Sequence, residues 1–149
     1  MCRGSRKTFS LLPIQLIPYH QYTADAVIRS LLLVLGCREA GQIGLWGACC
    51  MVDRVDPDSR ITPWLIACWL GVVVRGLQRA HAVLRRFYEL EHVRIVRRTI
   101  PWEIVAQYAS ALFPDTRDPP LQEVLTRYVR ATSRFLFGTP SQERCMSAR

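Results

Sequence analysis

Lysine is almost missing from this chain of 149 residues: Lys7 is the single example, and the other nineteen of its 20 basic residues are arginine. Long apolar runs are also missing. A membrane-crossing helix needs about 20 apolar residues, whereas the strongest candidate, Ile61 to Val74, is cut off by Arg75. A stretch of that length suits a helix buried in a core, so no membrane partner is expected. A leader peptide is not expected either, since the apolar run Leu11 to Tyr19 is broken by Pro13 and Pro18 and no small-residue cleavage site follows. Glycine-rich phosphate loops, internal repeats and low-complexity tracts are lacking, which leaves nucleotide-binding loops and repeat architectures without a basis. Regular cysteine spacing is absent too. Cysteines at 2, 37, 49, 50, 68 and 145 form no disulfide framework. They read as reduced thiols in a cytoplasmic protein, and Cys37, Cys49, Cys50 and Cys68 lie in apolar surroundings where a thiol acts as a small hydrophobe.

What is present is apolar and basic. Half of the residues are hydrophobic and the mean hydropathy is slightly positive, so most of the chain must bury apolar surface. The length suits one domain. The expected organisation is an extended arm over residues 1–22, a helical domain over 23–138 and a loose tail over 139–149. The formal charge of +8 points to an anionic partner, with nucleic-acid phosphate and an acidic membrane surface both compatible. Arginine in place of lysine also fits the nucleotide composition of a gene, which leaves the charge real and its purpose open.

Helix signals begin at Thr23, an N-cap candidate with Asp25 in the first turn, and apolar spacing through Val27, Leu31 and Val34 predicts a helix to Gly36. Gly41, Gly44 and Gly47 make the next segment a short helix and a turn, because each helical glycine costs about 1 kcal/mol relative to alanine. A polar loop follows from Asp53 to Arg60. Thr62 and Pro63 then open the clearest helix, predicted to end near Tyr88, with Leu65, Cys68, Trp69, Val72, Val73, Gly76, Leu77, Ala80 and Leu84 on its apolar side. On the opposite side Arg75, Arg79, Ala82 and Arg86 are spaced four, three and four residues apart, which lines three guanidinium groups on one stripe. Pro101 opens a fourth helix with Ile104, Val105, Tyr108, Ala109 and Leu112 inward. Asp118 and Pro119 signal a fifth, with Leu121, Val124, Leu125, Tyr128, Val129 and Phe135 apolar and Gly138 as its stop. The fold class expected is therefore mainly α, a bundle of four to five helices with an extended N-terminal arm.

The segment Arg6-Lys7-Thr8-Phe9-Ser10-Leu11-Leu12-Pro13, followed by Pro18-Tyr19 and a helix, resembles the junction between the zinc ribbon and the helical part of bacterial transposase-like proteins. Ser59-Arg60-Ile61-Thr62-Pro63-Trp64-Leu65-Ile66-Ala67-Cys68-Trp69 is similar to the end of their helix-turn-helix, where a Ser/Thr cap opens the recognition helix and a Trp closes it. The likeness covers residues 2 to 88. It implies a helix-turn-helix-like core, a DNA partner and a place in transposition. Two departures accompany it. Ser5 stands where the ribbon's second cysteine would follow Cys2, and a tetrahedral zinc site is not expected from this segment or from His20, Cys37, Cys49 and Cys50, whose spacing matches no zinc pattern. Trp64, Leu65, Ile66 and Leu70 occupy the helix where polar base-reading side chains would stand. A truncated relative would carry this pattern.

No metal, cofactor or small-molecule substrate is expected. Asp53, Asp56, Asp58, Asp115 and Asp118 fall in loops, where capping and turn formation account for them, and they do not form the converging carboxylates that metal-assisted phosphoryl chemistry needs. A Cys68–His81 pair is the one nucleophilic combination to test. DNA binding through phosphate contacts, without catalysis, is the expected function, with Arg60, Arg75, Arg79, Arg86, Arg97 and Arg98 as the contacts. The alternative is a helical module for oligomerisation or partner binding, in which Trp46, Trp64, Trp69 and Trp102 leave an aromatic patch exposed. A solvated helix face and a charged loop would explain the same arginines without a ligand.

Overall fold

The computed structural model describes residues 22–55, 61–94, 99–113 and 120–137. The arm and tail expected over 1–22 and 139–149 lie outside it, apart from Tyr22, as do Arg60, Arg97, Arg98, Asp118 and Gly138. Among the described residues the chain is mainly helical and contains no strand: α1 (Ala24–Gly41), α2 (Leu45–Val55), α3 (Pro63–Leu84), α4 (Pro101–Leu112) and α5 (Leu121–Thr132). The mainly helical bundle expected from the sequence is the fold observed.

Thr23 opens α1 as its spacing implied. Its Oγ1 accepts the Ala26 N–H at 3.2 Å, satisfying one of the first-turn amides that no helical carbonyl reaches. Asp25 sits in the favourable first turn and pairs with Arg29 at 2.8 Å. Gly36 does not stop this helix. α1 runs five residues further and ends on Gln42, whose φ of 48° is left-handed. One interior glycine costs only about 1 kcal/mol, and burial of Ile28, Leu31, Leu32 and Val34 along the same rod outweighs it. α2 contains Gly47 and packs chiefly against α1, burying Ala48, Cys49 and Val52.

Helix α3 is the centre of the bundle, in contact with all four other helices. Thr62 Oγ1 accepts the Leu65 N–H at 3.2 Å and Pro63 occupies the first turn, where its missing N–H removes no bond. The buried side carries Trp69, Val73, Gly76, Leu77, Ala80 and Leu84 as expected. Ile66, Leu70 and Val74 are also buried, while Leu65, Cys68 and Val72 are only half-buried, so the stripe is rotated slightly from its sequence-based position. The helix ends at Leu84 rather than near Tyr88. Phe87 and Tyr88 N–H groups both turn back to the Leu84 carbonyl.

All five inward positions named for α4 are buried, and Glu103 caps its start by accepting the Ile100 N–H at 3.3 Å. In the described part of the link before it, Leu90 and Val93 are buried, and the Arg94 N–H donates to Gln107 Oε1 at 2.7 Å. Four of the α5 positions are buried as expected, and Val129 and Phe135 are half-buried. Instead of continuing to Gly138, α5 stops at Thr132, with Ser133 left-handed at φ 55°. The early stop lets Leu136 and Phe137 return to the core, against Gly76 of α3.

Candidate nucleic-acid interface

Burying one side of α3 dictates what its other side presents. At 3.6 residues per turn, positions 64, 68, 71, 75, 79 and 82 follow one line down the helix. They are Trp64, Cys68, Gly71, Arg75, Arg79 and Ala82. Trp64, Arg75, Arg79, Ala82 and Arg86 are exposed. Arg75 and Arg79, two of the three arginines predicted to share a stripe, do share it on α3, diametrically opposite the buried line through Ile66, Val73, Leu77 and Leu84, while Arg86 is exposed in the turn that follows the helix.

The row is locally ordered. The Arg79 Nε donates to the Arg75 carbonyl at 3.2 Å. Arg75 lies back along the helix over Gly71, where a Cβ would come within 3.2 Å of its Nη1. α3 itself holds no carboxylate, and Arg75, Arg85 and Arg86 form no ion pair with the described acidic residues. Three arginines elsewhere make contacts within the fold. Arg29 pairs with Asp25, and Arg127 pairs with Glu123 while lying 5.5 Å from the centre of the Tyr88 ring. Arg38 lies 4.9 Å from the centre of the Trp102 ring. Sequence reasoning did not foresee these two ring contacts, since they join segments far apart in the chain.

No catalytic pair is assembled by Cys68 and His81. They are separated by about 20 Å along α3, and the imidazole is engaged elsewhere. His81 Nδ1 lies 2.7 Å from the Tyr108 hydroxyl, which donates to the Leu77 carbonyl at 3.2 Å. Burial lowers the His81 pKa and the Arg85 cation acts in the same direction. Burial raises that of Tyr108. These three groups fasten α3 to α4. No disulfide joins Cys37, Cys49, Cys50 and Cys68, and among the described residues no three metal-ligating side chains converge. Nor is any described helix long and apolar enough to cross a membrane.

No family model, curated protein or solved structure matches this chain. Its geometry is therefore the ground on which function has to be argued. In that geometry α2 and α3 are the consecutive helices that a helix-turn-helix reading would use. Residues 56–62 connect them, a longer link than the three or four residues usual in that motif.

Proposed function

We propose that this protein binds nucleic acid, DNA in the first instance, without catalysis. Arg75, Arg79 and Arg86 hold the phosphate backbone, and Arg60, Arg97 and Arg98 are additional phosphate contacts. The observation supporting this reading is the exposure of Arg75 and Arg79 on the solvent side of a helix that carries no carboxylate, with Arg86 exposed in the turn directly after it. A DNA strand presents a phosphate about every 3.4 Å of duplex axis, so these arginines face several phosphates at once. Guanidinium groups suit such contacts, being permanently charged and able to donate to two oxygens together. The transposase-associated setting rests on the resemblance in the sequence alone.

Replacing Arg75, Arg79 and Arg86 together by Gln tests the proposal. Three lost phosphate contacts reduce the slope of log affinity against log salt by about 2.7, at 0.9 per contact. Expressed as affinity, the wild type is expected to lose about 40-fold more than the variant between 50 and 200 mM salt. An unchanged slope rejects this face as the binding surface.

A second reading has its own support. Trp46 and Trp64 are 72% and 74% exposed, unusual for such large apolar side chains, and they fit a surface for self-association or a partner protein. Association of that kind would persist as salt rises, whereas phosphate binding would be released. Sedimentation at low and high salt separates the two.

A further inference from the structure

Trp64 shares its line with Arg75 and Arg79. Positions 64 and 75 stand eleven residues apart, close to three helical turns, so an exposed indole and a guanidinium group face the same way over about 16 Å of α3, with Arg79 one turn further on and Arg86 exposed in the turn beyond the helix. Between the indole and Arg75 the line holds only Cys68 and Gly71. Arg75 reaches back over Gly71 toward the tryptophan, shortening the gap between ring and charge. A duplex offers the outer face of a straight helix its phosphates and groove edges and keeps the flat faces of its bases stacked inside. A large, 74% exposed indole in register with the arginines has no role in such phosphate contacts. Unpaired bases supply the missing flat surface, and proteins that hold single strands combine a positive track with aromatic platforms.

We infer that the outer face of α3 is a single-strand track, on which Trp64 stacks one unpaired base while Arg75, Arg79 and Arg86 hold the backbone that leads from it. This rests on the reading of α3 as a nucleic-acid-binding face and names the form of nucleic acid it takes. A lipid surface would also attract indole and guanidinium groups. An interfacial helix, however, lays its apolar face into the bilayer, and the apolar face of α3 is occupied by the bundle core.

The test measures binding of an oligothymidylate of about 16 nucleotides, a duplex of equal length, and vesicles of mixed neutral and anionic phospholipid. The proteins compared are the wild type, Trp64→Ala, Trp64→Phe and the triple Arg→Gln variant. Trp64→Ala is expected to weaken oligothymidylate binding about tenfold, as loss of one stacked base does, with the salt slope and duplex affinity unchanged. Trp64→Phe is expected to retain most of the affinity. Equal weakening on duplex and single strand, or none on the single strand, overturns the stacking role even where the triple variant still lowers the salt slope. If the triple variant alters neither nucleic acid, the reading beneath it fails as well. Trp64-dependent binding to the vesicles without binding to the oligonucleotide overturns the inference in favour of a membrane surface.

Discussion

Two glycines inside helices of this protein should respond in opposite directions to the same substitution. Gly76 lies on the buried side of α3, and a Cβ placed there would stand 2.7 Å from the Leu136 carbonyl oxygen and 2.7 Å from Phe137 Cδ1. Neither neighbour yields cheaply, one being backbone and the other a ring that is itself buried. Overpacking of this kind costs about 1–3 kcal/mol, while alanine regains about 1 kcal/mol of helix propensity. The net expectation for Gly76→Ala is a loss of up to about 2 kcal/mol, or as much as roughly 8 °C in melting temperature at this domain size. Gly36, on the exposed side of α1, has nothing within 4 Å of the Cβ position and no left-handed backbone requirement. There the propensity gain stands alone, and Gly36→Ala is expected to raise the midpoint by about 4 °C. Thermal unfolding followed by far-ultraviolet circular dichroism measures both. Shifts of the same sign for the two variants would refute the packing of residues 136–137 onto α3.

Tyr108→Phe removes the hydroxyl that links His81 to the Leu77 carbonyl and is expected to cost about 1 kcal/mol in chemical denaturation. The His81 pKa is lowered in the fold, so its contribution to stability is present above the unfolded value near 6.5 and is lost as pH falls through the lower folded value. Melting curves between pH 7.5 and 5 are expected to show a steeper decline for the wild type than for His81→Leu. Leu136→Ala, at a site 2% exposed, is expected to cost about 2–5 kcal/mol in the same denaturation assay. The triple Arg→Gln variant, being confined to the surface, is expected to melt within about 0.5 kcal/mol per site of the wild type, so that any change in binding reports on the face and not on the fold.

Legibility in the sequence followed the range of the interactions concerned. Thr23, Thr62 and Pro63 act within one turn, and their capping roles could be read directly. The five inward residues of α4 repeat with the helical period and were all found. The pairing of Arg75 with Arg79 on the outer side of α3 was legible for the same reason, because it depends only on one regular helix, whereas the helix end at Leu84 leaves Arg86 in a turn. Gly36 misled because a local propensity was weighed without the apolar contacts beyond it. The end of α5 misled because its cause lies in α3, at Gly76, some sixty residues away in the chain. The exposure of Trp64 had no signal in composition, which marks tryptophan as core. Only the helical register, counted back from Arg75, places it on the outer line.

That remote cause has a consequence for biosynthesis. The cleft at Gly76 stays uncovered until Leu136 and Phe137 have been translated, an interval of about 3–12 s at 5–20 residues per second. During that time the nascent chain shows the apolar flank of its middle helix to chaperones and to neighbouring polypeptides. Products released before Leu136 would keep that flank bare.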